Sequence, residues 1–370
     1  MNTHTGAQTA VKEATTLDSV QALRALAACM VLAFHAVAML DHNGHYALGI
    51  DAPGAGGVDL FFVVSGFIMV YTNHEAFGRP GAPAAFLMRR AARILPLYWL
   101  CTSAIVLLLA LAPGLFSTVR IDWPHVLASY AFILSKNSVG EIGTVPQTGW
   151  SLCFEVYFYL LFAALLCLPR KAFFAAFACA FAVGIGLGAI AAPVPAWVRV
   201  ATSPILLEFV LGAGIALLYV GGKRLPRTLA IVAVVLGMAA RLTPRGVDMM
   251  SWSRVAFWGL PGASLLAGAI ALERAGLAVP RAVVALGDSS YRLYLIHLFV
   301  LPATGKLWFA LQLTDKASPA LLFLIACAVS LVAAHALYLA FERPVTTRLA
   351  RAWNPAPHRR AAQIRSFQGR

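Results

Sequence analysis

The sequence predicts an all-α, polytopic membrane protein of about ten transmembrane helices with both termini cytoplasmic. Of its 370 residues, 60% are hydrophobic and only 12% charged, far from the balance of a soluble domain. Apolar runs recur ten times, matching a template of about 17–25 residues per membrane span. Lys and Arg crowd into alternate loops, as expected where positive loops are retained in the cytoplasm.

The segment 1–19 is polar and cytoplasmic, and it lacks the apolar run of a cleavable signal peptide. The first span, 20–41, is therefore expected to act as its own signal anchor. The runs that follow lie near 56–72, 94–112, 150–168, 172–191, 202–220, 228–242, 255–272, 291–311 and 319–341. The seventh is short and contains Gly237. Within the long loop 113–149, the stretch from Trp123 to Leu134 reads as a short interfacial or re-entrant helix, with Trp123 and Tyr130 suited to an interface. The integral domain thus covers 20–345, and 346–370 forms a basic cytoplasmic tail.

With the N-terminus inside, the inner segments hold 21 of the 29 basic residues and the outer side 8. The net charge of +14 therefore reads as topology, and no nucleic-acid partner is expected. The expected location is a bacterial inner membrane, with lipid as a partner. The six cysteines, at 29, 101, 153, 167, 179 and 327, all fall in spans without CxxC spacing and read as small packing residues. Leu26-Ala-Ala-Cys29 has too little apolar sequence before it for a lipoprotein cleavage box. No internal repeat is evident, which argues against a transporter built from inverted repeats.

Arg24 and His35 share one face of the first span, about 20° apart and about 16 Å apart along the axis. Both are costly in hydrocarbon, so neither is expected to face lipid. Counting depth from each span end yields two clusters. His35, Asp59, Glu155 and Glu208 fall in the outer third; an imidazole beside a carboxylate suits a general base for a hydroxyl, and His35 with Asp59 is the best pair. Arg24, Arg90, Arg93, Arg292 and His297 gather toward the inner end, with Arg90 and Arg93 on one helix face. Arginine forks match phosphate oxygens, so this end suits a polyanionic cytosolic ligand. His297 could contact that ligand or bond a neighbouring helix. His335 and the Glu342-Arg343-Pro344 stop read as structural. His42, His45, His74, His125 and His358 show no ligand spacing, and no metal site is expected.

Five motifs, in order, resemble acyltransferase family 3: Arg-x10-His in the first span, Gly-Val-Asp-Leu-Phe-Phe-Val-Val-Ser-Gly-Phe, Arg-x2-Arg before Ile-Leu-Pro-Leu-Tyr-Trp, Trp-Ser-Leu-x2-Glu, and Ser-Tyr-x-Leu-Tyr-Leu-x-His. These are membrane O-acyltransferases of exopolysaccharide, lipopolysaccharide and Nod-factor sugars, and the Trp150–Tyr159 and Gly287–Tyr291 stretches look most like the exopolysaccharide-acetylating branch. The resemblance implies about ten helices, an acyl-CoA donor (acetyl-CoA foremost) from the cytoplasm, and an acceptor hydroxyl on a glycan or lipid-linked oligosaccharide reached from the periplasm. It carries function onto Arg24, His35, Asp59, Arg90, Arg93 and Glu155. Phe154 departs from the family, which often has a polar residue there.

On this reading the donor phosphates sit near Arg24, Arg90, Arg93 and His297, and the pantetheine arm bridges the interval to His35. His35, oriented by Asp59, removes the hydroxyl proton or carries the acyl group, and Glu155 positions the acceptor or tunes His35. A proton-coupled transporter or flippase of lipid-linked sugars is the alternative, because intramembrane His and carboxylates also build proton relays. A packing scaffold in a polysaccharide assembly complex is a third.

Overall fold

A computed structural model of the chain describes residues 17–42, 54–115, 120–191, 194–242, 250–314 and 316–342, with 344, 345 and 348. The expected tail, apart from 348, and the N-terminal segment before 17 lie outside these residues. The first half holds α1 (Asp18–His42), α2 (Gly57–Asn73), α3 (Ala82–Leu111), α4 (Trp123–Tyr130), a hairpin of β1 (Ser135–Lys136) and β2 (Ile142–Gly143), α5 (Gly149–Leu165) and α6 (Arg170–Ile190). The second holds α7 (Arg199–Thr202), α8 (Leu207–Val220), α9 (Arg227–Leu242), α10 (Trp252–Arg254), α11 (Leu260–Arg274), α12 (Arg281–Asp288), α13 (Ser290–Ala310) and α14 (Pro319–Leu337). A π-helical turn, Val255–Gly259, joins α10 to α11.

The protein is a helical, multi-pass membrane protein. Among the described residues six helices are long and apolar enough to cross a membrane: Asp18–Asp41, Ala82–Leu111, Arg170–Ile190, Trp252–Arg274, Ser290–Ala310 and Pro319–Glu342. Gly57–Asn73, Gly149–Leu165 and Pro204–Val220 are apolar but shorter. The expected seventh span falls on α9, which has 16 residues.

Local chemistry sets several helix ends. The first backbone N–H groups of α1, at Asp18 and Ser19, each donate to the Glu273 carboxylate at 3.0 Å, a negative group placed where the helix dipole is positive. Ser251 accepts from the Arg254 N–H and so caps α10, and Ser318 does the same for α14 ahead of Pro319.

Lipid tails are as apolar as leucine, so the bundle is held by close packing and buried polar contacts rather than by exclusion from water. α2 and α8 show this: a Cβ at Gly66 would overlap the Phe209 backbone, and one at Gly212 would overlap the Val63 carbonyl. Around that contact Phe158 stacks on Phe209 at 4.4 Å and Phe62 tilts against Phe209 at 4.7 Å. α1 packs on α2, α12 and α13, and α13 on α14.

The part of the α3–α5 loop from residue 120 onward folds as a lid that contains regular structure. α4 confirms the short helix expected there, Tyr98 of α3 donates to its Ser129 carbonyl at 3.1 Å, and β1 pairs antiparallel with β2 in the register Ser135↔Gly143 and Lys136↔Ile142. Gly140, at φ +86, makes the tight turn possible, and Asn137 Oδ1 accepts from the N–H groups of Val139 and Glu141.

Candidate functional site

α1 delivers its two polar groups to two different cavities. Arg24 lines a narrow one of about 70 Å³, together with Arg90, Arg93, Ser65, Glu155 and Tyr159. His35 lines a chamber of about 800 Å³ roofed by α4 and the hairpin, a size typical of ligand sites. Val58 and Tyr294 belong to both walls. Tyr294 donates to the Thr148 carbonyl at 2.9 Å, and its hydroxyl lies 2.6 Å from Ser151 Oγ, so the partition is held by α5 and α13 together.

In the arginine cavity, Arg24 is buried and satisfied: Nη1 donates to Gln21 Oε1 at 2.8 Å and Nη2 to Ser290 Oγ at 2.9 Å. Arg90 lies over the rings of Phe86 and Tyr159, at 5.6 and 5.7 Å, and its Nε is buried without an acceptor among the described residues. Arg93 completes the trio. Three guanidinium groups face one carboxylate, Glu155, whose Oε1 accepts from Ser65 Oγ at 3.1 Å and from the Tyr159 hydroxyl. The surplus of positive charge suits a polyanionic ligand.

The depth count predicts Glu155 beside His35; the structure places it instead with the arginines. The count assumes that α5 starts at the surface. Its first residues are in fact buried, with Thr148 and Gly149 tucked beneath the hairpin loop. Arg292 also departs from expectation: it does not line the cavity but pairs with Glu342 at 2.9 Å and lies over the Tyr338 ring at 4.2 Å.

In the histidine chamber, His35 Nδ1 sits 2.9 Å from the Val31 carbonyl. A carbonyl only accepts, so Nδ1 carries the proton and Nε2 is left as the basic nitrogen. His297, predicted on the ligand-binding side with the arginines, lies instead against His35, with ring centroids 4.9 Å apart. The reason is direction: α13 starts at Ser290, which bonds Arg24, and runs away from the arginines alongside α1, so position 297, seven residues on, reaches His35. Its Nδ1 bonds the Leu293 carbonyl at 2.9 Å, and its Nε2 is buried without a partner among the described residues. Such orphaned groups are rare in native structures.

Asp59, expected to orient His35, is 0% exposed and is held by Arg254, with Nε–Oδ1 at 2.8 Å and Nη2–Oδ2 at 2.9 Å. Sequence reasoning counts Arg254 only as a loop charge. Beside this pair, Glu208 is fully buried with neither carboxylate oxygen bonded among the described residues, and Arg241 donates to the carbonyls of Gly56 and Trp258. Arg241 carries a legible signal, a cation inside the seventh apolar run, where cost alone demands a partner. Among the described residues no group of three or more His, Cys, Asp or Glu could hold a metal ion.

The lid contributes one titrating group outside the spans. His125 bonds Ser135 Oγ through Nδ1 at 2.8 Å. Burial lowers its pKa from the usual 6.5, opposed by the nearby Asp122 carboxylate.

A family model described as an acyltransferase domain matches residues 17–339. The chain is 33% identical over 322 residues to the exopolysaccharide production protein ExoZ of Rhizobium meliloti (strain 1021), covering 85% of this chain and 94% of that protein. It is 28% identical over 372 residues to the acyltransferase MdmB of Streptomyces mycarofaciens, covering 90% of this chain and 93% of that one. No solved structure matches the chain.

Proposed function

The chain belongs to acyltransferase family 3, and from that membership we propose that it moves a short acyl group, acetyl foremost, from cytoplasmic acyl-CoA to a hydroxyl of an exopolysaccharide or other surface glycan across a bacterial inner membrane. The carrying observation is that one helix, α1, places Arg24 in an arginine-lined cavity and His35 in a large chamber, with Val58 and Tyr294 lining both. The similarity to a protein named for exopolysaccharide production supports the acceptor class.

The ten-span arrangement takes α1, α2, α3, α5, α6, α8, α9, the α10–α11 unit, α13 and α14 as its spans, with both termini cytoplasmic. The arginine cavity then faces the cytoplasm. Arg24, Arg90 and Arg93 hold the phosphates of the donor, and the narrow cavity suits the slender pantetheine arm, which passes Tyr294 to bring the thioester to His35. Glu155, fixed by Ser65 and Tyr159, offsets part of the arginine charge and so positions the donor end.

In the chamber, His35 Nε2 accepts the proton of the acceptor hydroxyl as its oxygen attacks the thioester carbonyl. The new C–O bond forms, the C–S bond breaks, and the departing thiolate takes the proton back from His35 to leave as free CoA thiol. His297, packed on the imidazole, limits the ring to productive orientations.

The test is free-CoA release and ester formation by the purified protein given acetyl-CoA and deacylated exopolysaccharide. General-base catalysis contributes about 10²–10⁴-fold, and a loss of that order is expected for His35→Ala. A folded His35→Ala protein working at the wild-type rate would reject the assignment.

A further inference from the structure

We propose that Arg254 is the hydrogen-bond donor that seats the acceptor sugar in the histidine chamber, with the Trp150 indole as its stacking surface, and that Asp59 acts as the positioning residue for Arg254 rather than for His35. The inference rests on the acyltransferase reading above and assigns its acceptor end.

Arg254 closes α10 immediately before the π-helical turn, and π-turns recur at functional sites. It is 4% exposed, yet it lines the chamber that His35 lines. Two of its nitrogens are committed to Asp59. Its guanidinium lies over two indoles, 5.4 Å from Trp150 and 4.9 Å from Trp258. Nη1 donates to nothing among the described residues. A planar fork fixed at two points, with its third nitrogen uncommitted, is a preorganised donor that loses little freedom when a ligand oxygen arrives.

The ligand class follows from charge. Asp59 neutralises Arg254, so Nη1 offers a donor without net attraction for anions. Elsewhere on the wall the single Arg120 cation stands against two carboxylates, Asp122 and Glu141, and Asn137 and Gln147 add neutral polar groups. Trp150 also lines the chamber. An aromatic face, a fixed donor and a polar wall with no surplus of positive charge suit an uncharged, polyhydroxylated sugar ring rather than a sugar acid or a diphosphate.

Two variants of the full-length, detergent-purified protein test this. Arg254→Lys keeps a cation beside Asp59, and Arg254→Met combined with Asp59→Leu removes the pair together, avoiding a lone buried charge. The acceptor probe is the oligosaccharide mixture from alkali-deacylated exopolysaccharide, and CoA binding is measured separately by calorimetry. The acceptor KM is expected to rise roughly tenfold or more, the effect of losing a charged donor, with the CoA Kd within about twofold of wild type; Trp150→Ala should move the same constant. An unchanged acceptor KM in either CoA-binding variant overturns the assignment, as does a KM that moves only in step with the CoA Kd. The acceptor KM should also be indifferent to NaCl between about 0.05 and 0.5 M, since only a charged acceptor would be screened; a steep salt dependence overturns the uncharged class. Wild-type protein that neither binds CoA nor releases it from acetyl-CoA overturns the acyltransferase reading itself, whereas normal CoA chemistry with an Arg254-independent KM overturns only the acceptor site.

Discussion

A guanidinium inside a lipid-embedded bundle costs several kcal/mol unless its donors find acceptors, and the three arginines of the narrow cavity meet that demand differently. Arg24 spends donors on Gln21 and Ser290, so its loss would disturb folding as well as binding. Arg93 donates to nothing among the described residues, although it lines the same cavity. Its donors are therefore available to a phosphate. Arg93→Ala should weaken CoA binding by roughly 10–100-fold, as for a charge-assisted hydrogen bond of about 1.5–3 kcal/mol, while the melting temperature stays close to wild type. Calorimetric titration with CoA beside a thermal melt checks both parts, and a large fall in melting temperature with unchanged affinity would make Arg93 structural.

At the scale of elements, the α4–hairpin lid is the roof of the chamber and carries its own pH dependence. Burial holds the folded-state pKa of His125 below its unfolded 6.5, so the fold favours the neutral ring. The sign follows: the lid is fully stable above about pH 6.5, and it loses stability as pH falls through that value and the unfolded state takes up the proton first. Hydrogen exchange across 123–147 should accelerate as pH falls below about 6.5, and His125→Gln should flatten that response; equal acceleration in the variant would assign it elsewhere. The lid also marks the boundary of what sequence could reveal. Arg24, His35 and the Arg90–Arg93 pair were legible because a helical period of 3.6 fixes their relative positions wherever the helix sits. Glu155 was not, because its depth depends on where α5 begins beneath the lid, a tertiary fact. The Asp59–Arg254 pair, 195 residues apart in sequence, has no local period to betray it.

At the scale of the whole molecule, the two cavities imply direction. α1 and α13 run side by side from the arginine cavity to the histidine chamber, and on the proposed ten-span topology 21 of 29 basic residues lie on the side from which the donor is proposed to enter. Positive loops are retained in the cytoplasm, so the orientation of the protein and the polarity of the reaction have one cause. The two substrates should then be usable only from opposite faces. In proteoliposomes sorted for a single orientation, acetyl-CoA on the cytoplasmic face and glycan on the other should yield acetylated glycan. The reverse placement, or both substrates on either face alone, should yield none. A transporter moving its cargo intact would instead shift glycan between compartments with no thioester consumed, and product formed with both substrates on one face would show that the partition at Val58 and Tyr294 does not separate two entrances. Widening that partition with Val58→Gly should leave the requirement for opposite faces intact, because sidedness arises from where each cavity opens and not from the width of the passage between them.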